Sequence, residues 1–254
     1  MNDLNNIKKI IAKSGLDAQF RHYEKQNWDK VIKQSSFVPT VYAWDFLNYN
    51  TVYFQSFSKT SNDLSMVIFH DKKPCAVWPI AYDPVDQEPL KTVNKLYGGI
   101  VVPPLFVDNL PKKSQRLIIK SCIKFLNTLL QESNGNCWRT NELSEDGVTG
   151  QWHQVSLEMG GTLDRVNYEM YTDLSQSIEE IRSHIRKSFR PLVSSGLKNW
   201  QVTVMDEYCE NTWNKFRDLH KKVAGRITRS TETWNIQHES IKHGNAFLVY
   251  ISNF

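Results

Sequence analysis

Apolar positions along the chain change spacing several times, and each change marks an element. Leu64 to Phe69 and Cys75 to Ala81 are short apolar runs on either side of His-Asp-Lys-Lys-Pro. That pattern predicts a β-hairpin with a polar turn and Pro74 at the entry of its second strand. Leu117, Ile118, Cys122, Phe125, Leu129 and Leu130 recur at helical spacing, so a long helix is expected from Pro111 to Asn134-Gly135-Asn136. Val41 to Phe57 and Gln151 to Met159 predict further helices. Tyr97 to Val102, Cys137 to Leu143 and Arg165 to Leu174 predict strands. Residues 1 to 35 are polar with helical spacing and read as a loosely attached arm.

From residue 175 a second block follows without a low-complexity linker. Ser177 with Glu180 forms a capping box, and Ile178, Ile181, Ile185, Phe189, Leu192 and Val193 lie on one stripe. Pro191 is expected to kink or end that helix near Arg190, with Gly196 as its stop. Trp200 to Met205 predicts a strand. Asn211 is the expected cap of the next helix, with Trp213, Phe216, Leu219 and Val223 on its buried side. Thr231 to His243 predicts a helix, Gly244 its stop and Ala246 to Ile251 a strand. That last run is apolar on both faces and belongs between neighbours in a sheet. With so little chain after it, the second block is expected to be cut short. Alternating helices and strands give the fold class α/β or α+β, with domains at 1–174 and 175–254.

Composition narrows the chemistry. At 254 residues, 40% hydrophobic and 23% charged, the chain is ordinary globular material. The net charge of +4 is mild, but residues 178–229 hold eleven Lys/Arg against six Asp/Glu. One basic region in a balanced chain implies a local anionic ligand rather than a general coat, and nucleic acid ranks last among the partners. The cysteines lack zinc-site spacing, so no metal is expected. No run reaches the ~20 apolar residues of a membrane span. A soluble, cytoplasmic protein is the expectation.

Two groups of residues carry candidate chemistry. Arg182, Arg186 and Arg190 are four apart, with Lys187 adjacent, so on one helix they would stack along one side. Like charges at that spacing repel by ~0.2–0.5 kcal/mol per pair, which a bound anion would relieve. A solvated helix face is the plain alternative. The second group is His220 with Arg226, followed by Arg229. His220 near a helix end is placed to cap last-turn carbonyls, or to line a cleft with Arg226 as anion clamp. Neither GxGxxG nor a Walker-type loop occurs.

These same segments carry a resemblance. Ile181-Arg182-Ser183-His184-Ile185-Arg186-Lys187-Ser188-Phe189-Arg190 followed by Gly196, Phe216 to Arg226, and then Trp234, Gln237, Gly244 and the final strand resemble the FemAB-like acyltransferases of the GNAT superfamily. The hairpin Leu64 to Ala81 resembles the opening strands of a first GNAT-like domain. The resemblance implies two GNAT-like domains with mixed sheets flanked by helices. It implies transfer of an acyl or aminoacyl group to the amine of an amino-sugar or cell-envelope precursor. Acetyl-CoA or another acyl-CoA would be the donor. Carried over, Arg186, Lys187 and Arg190 would hold the acceptor's phosphates, and His220 and Arg226 would lie near the cleft. No proton-transfer residue is assigned. The pyrophosphate-binding turn expected after the central strand is missing, so the donor site is expected to be incomplete and the chain inactive on that account. The rival from another class is a non-catalytic module binding anionic glycan precursors or a partner protein. Self-association through the C-terminal strand is also expected.

Overall fold

The computed structural model describes residues 4–56, 62–83, 93, 99–132, 137–141, 149–165, 172–207 and 209–253. The described residues form an α+β protein with nine α-helices and small sheets, divided into unit 1, Met1–Thr162, and unit 2, Leu163–Phe254.

Unit 1 opens with α1 (Leu4–Ser14), which buries Ile7, Ile10 and Ile11 at helical spacing. Next come β1 (Ala18–Phe20) and α2 (Lys25–Lys33), whose Trp28 and Val31 are fully buried. The segment expected to be a loose arm is therefore part of the core. Its polar average hides a narrow apolar stripe, which is enough to seat a helix. α3 (Trp44–Gln55) follows, then β2 (Asn62–Asp63), β3 (Met66–His70), β4 (Lys73–Trp78) and β5 (Ala81–Tyr82). β3 and β4 form the expected hairpin. Its two-residue turn places Asp71 at φ 50° and Lys72 at φ 62°, the left-handed geometry that matches strand twist.

β6 (Ile100–Val101), β7 (Leu105–Phe106), α4 (Lys112–Glu132), β8 (Arg139–Thr140) and α5 (Gln151–Glu158) complete unit 1. The main sheet is antiparallel in the order β1-β3-β4-β7; β2 pairs with β5, and β6 with β8 in parallel. α4 buries Ile118, Cys122, Phe125, Leu129 and Leu130, but Leu117 points outward and is exposed. Trp78 meets Phe125 and Trp152 edge-on at 6.0 and 6.2 Å. The indole N–H groups of Trp28, Trp78 and Trp152 donate to Tyr42 O, Val102 O and Thr140 Oγ1. Each buried ring thus keeps its one donor satisfied. Of the expected strands, residues 97–98, 142–143 and 166–171 lie outside the described residues, as does the stop at 134–136. Residues 172–174 are not strand.

Unit 2 contains α6 (Ile178–His184), α7 (Arg190–Asn199), β9 (Trp200–Met205), α8 (Glu210–Ala224), α9 (Thr231–Lys242) and β10 (Leu248–Asn253). β9 and β10 pair antiparallel over six residues with an unbroken register. Met205, Trp213, Trp234 and Ile241 are its buried core, with Phe216, Leu248 and Tyr250 packed against them. β10, expected between two neighbours, pairs only with β9 among the described residues.

Candidate anion-binding site

The basic stripe is not one helical side. α6 ends at His184, and Arg186 and Lys187 fall in the turn that precedes α7. Pro191 sits in the first turn of α7, where its missing N–H costs nothing. A helix continuous through residue 187 would set the proline ring against that residue's carbonyl, so the break comes earlier than the proline itself. Arg190 donates from Nε to the Ile185 carbonyl at 3.0 Å and from Nη2 to the Ser183 carbonyl. Its guanidinium thus closes the C-terminal end of α6. Arg182 reaches Ser194 Oγ at 3.5 Å. Arg186 and Lys187 are exposed. Gly196, the expected stop, lies inside α7 with the Trp200 ring 3.5 Å from where a Cβ would stand. The capping box is present: Ser177 Oγ accepts from the Glu180 N–H while the Glu180 carboxylate accepts from the Ser177 N–H. These hydrogen bonds hold the Glu180 carboxyl below its ordinary range. The residues of the expected apolar stripe are not in the core; Ile178, Phe189, Leu192 and Val193 are exposed.

The second group is brought together, with a different arginine. α8 is capped by Cys209 rather than Asn211. The Cys209 thiol contacts Thr212 Oγ1 at 3.2 Å, and that contact lowers its pKa. Trp213 is buried and Phe216 half-buried on the inner face of α8, while Leu219 and Val223 face out. The inner stripe instead runs through Trp213, Phe216, Arg217 and His220, so after Phe216 it departs from the expected Leu219 and Val223. Gly225 then turns the chain at φ +66°, a conformation that favours glycine, and the loop returns to α9. Ser230 caps α9, its hydroxyl accepting from the Thr233 N–H.

This loop lays Thr228 and Arg229 against His220. Thr228 Oγ1 is 3.4 Å from His220 Nδ1, and Arg229 Nη1 is 3.4 Å from His220 Nε2. An arginine only donates, so a hydrogen bond from Arg229 would need Nε2 as acceptor, with the imidazole hydrogen on Nδ1 facing Thr228. The His220 ring meets Trp234 edge-on at 5.1 Å. Two guanidinium groups lie near the same indole: Arg229 at 4.8 Å and Arg217 at 5.9 Å from the Trp234 ring centre. Among the described residues neither arginine makes a salt bridge; the ion pairs of unit 2 involve Arg165, Lys242 and His243. Arg226, the expected clamp, is exposed, and the loop arginine that reaches His220 is Arg229.

Below the cluster, His238 stacks on Trp213 at 4.9 Å with rings 10° from parallel. Burial pushes the His238 pKa down. Among the described residues the buried Trp213 Nε1–H has no hydrogen-bond partner, unlike the indoles of Trp28, Trp78 and Trp152. No group of three or more His, Cys, Asp or Glu side chains able to hold a metal occurs among the described residues.

Nor does any helix of the described residues have the length and apolarity to cross a membrane. No family model, curated protein or solved structure matches the chain. The reading of unit 2 therefore rests on its own geometry. His220 and Arg229 were both visible as residue types in the sequence, but Arg217 carried no signal there. It differs from other helical arginines only in lying one turn after Trp213.

Proposed function

We propose that unit 2 recognises a phosphate-bearing acceptor in an acyl-transfer reaction, the acceptor being an amino sugar or cell-envelope precursor. The observation that carries the reading is the pair Arg217 and Arg229. Two guanidiniums near one indole, with no carboxylate partner among the described residues, leave a field that an anion would neutralise. Thr228 and His220 add polar edges on one side. Trp234 gives the arginines a rigid plate, so less side-chain freedom is lost when a ligand binds. Arg186 and Lys187 in their exposed turn are offered as further contacts to a longer polyanion, whereas Arg190 is occupied with the carbonyls of α6.

The acyl-transfer part comes from the sequence resemblance, with acetyl-CoA or a related thioester as donor. The chemistry asked of the protein is to orient an amine against a carbonyl and stabilise the oxyanion.

One observation favours a second reading, a module that binds without catalysing. Arg229 Nη1 lies 3.4 Å from His220 Nε2, the position a general base needs free.

The test is a pair of measurements on the full chain. Calorimetric titration with a nucleoside-diphosphate amino sugar should show binding that weakens about tenfold in Arg229→Gln, equivalent to ~1.4 kcal/mol. Transfer of labelled acetyl from acetyl-CoA to the sugar amine, followed by mass spectrometry, separates enzyme from binder. Binding without transfer selects the module. Unchanged affinity in Arg229→Gln removes the site. A steep salt dependence of RNA binding would favour nucleic acid instead.

A further inference from the structure

The β9–β10 ribbon has two unlike faces. Met205, Leu248 and Tyr250 turn inward onto Trp213, Trp234 and Ile241. The register sets Val204 opposite Val249 and Val202 opposite Ile251 on the other face, continued by Trp200. All five of these outward side chains are half-exposed. Neither strand carries a charged residue or a proline, and their pairing has no bulge. The usual devices that keep a solvent-facing sheet from associating are therefore absent from both strands.

We propose that this face is the seat of a homodimer, with the outward face of one β9–β10 ribbon packed on that of a second copy. Five half-exposed side chains of these sizes present on the order of 450 Å² of apolar surface, within the range that marks an interaction patch. Two copies packed face to face remove about 900 Å², close to the about 1,000 Å² above which association becomes specific. The complex is accordingly small and concentration-dependent. An uncharged face offers no charge by which to select an unlike partner. An identical face matches it in polarity and is always present at equal concentration, and a two-fold arrangement satisfies both copies with one contact. Sheets stacked this way interdigitate about 10 Å apart, with Trp200 of each copy able to cover the end of the other ribbon.

The experiment is sedimentation equilibrium of the full chain across a wide concentration range, with Val202→Lys/Val249→Lys as the disrupting variant. Far-UV circular dichroism checks that the variant folds. Should it not fold, Val202→Thr/Val249→Thr keeps the β-branched shape and strand preference while making the face polar. The result expected is a monomer–dimer equilibrium whose dissociation constant rises at least about tenfold in a folded variant. A chain monomeric throughout, or a dimer indifferent to a folded variant, overturns the proposal. So does a monomer that binds neutral phosphatidylcholine vesicles through this face, since the occupant is then lipid.

Discussion

Arg21 shows how a single side chain can organise unit 1. It is buried beside Asp63 at 2.5 Å, donates to Asn48 at 2.9 Å and lies 4.6 Å from the Trp44 ring. Removing one member of such a pair leaves an uncompensated charge inside the protein. Arg21→Ala should cost ~3–5 kcal/mol by urea denaturation, whereas an exposed pair such as Lys25–Asp29 should contribute under ~1 kcal/mol. Thiol chemistry provides a second residue-scale test. Burial raises the Cys75 thiol to about 12 and Cys122 well above its ordinary value. The exposed Cys209 is shifted the other way. In the folded chain, Cys209 should therefore react with a thiol reagent at a lower pH than an ordinary cysteine, while Cys75 and Cys122 stay unlabelled until denaturant is added. Labelling of all four at similar rates would contradict the packing described.

At the scale of elements, the clearest lesson lies in the stop signals. Gly244 ends α9 at φ +70° with open space where a Cβ would go, so its role is conformational alone. Gly244→Ala should destabilise unit 2 by ~1 kcal/mol, read from its own urea transition. The hairpin, α4, α5, β9 and α9 were legible from spacing and punctuation because each is bounded by glycine, proline or a polar turn. What misled was phase. Leu219 and Val223 satisfy a helical period, yet α8 rotates so that Trp213, Phe216 and His220 meet α9. Trp213 and Phe216 belong to both stripes, which differ only in whether Leu219 and Val223 or Arg217 and His220 follow them. Periodicity alone does not say which of two overlapping stripes goes inward. The arginine stripe failed for a different reason. Spacing of four means a shared face only on an unbroken helix, and Pro191 forbids one there. The site was half legible, since His220 could be named in advance. Its partners depended on where the Gly225 loop returned, which has no local signal.

For the whole molecule, the two units have unequal cores. Among the described residues, unit 2 rests on four buried apolar side chains and their aromatic neighbours, far fewer than unit 1. Hydrophobic stabilisation scales with buried area, so unit 2 should unfold at lower urea concentration than unit 1. Acid should weaken unit 2 further. Burial lowers the folded pKa of His238 beneath its ordinary 6.5, so the unfolded chain binds the proton more readily. That contribution to stability is present above the ordinary histidine value and is lost as pH falls through the folded one. Near-UV circular dichroism of the Trp213 and Trp234 cluster should report this loss; an acid-insensitive unit 2 would argue against a buried His238.

The central claim is that Arg217 and Arg229, near one indole, form an anion site. Trp fluorescence titration with inorganic pyrophosphate tests it most directly, comparing the natural chain with Arg217→Gln, Arg229→Gln and Arg226→Gln. The arrangement predicts saturable binding that each of the first two substitutions weakens about tenfold and the third leaves nearly intact. Equal affinity in all four proteins, or a loss confined to Arg226→Gln, would contradict it.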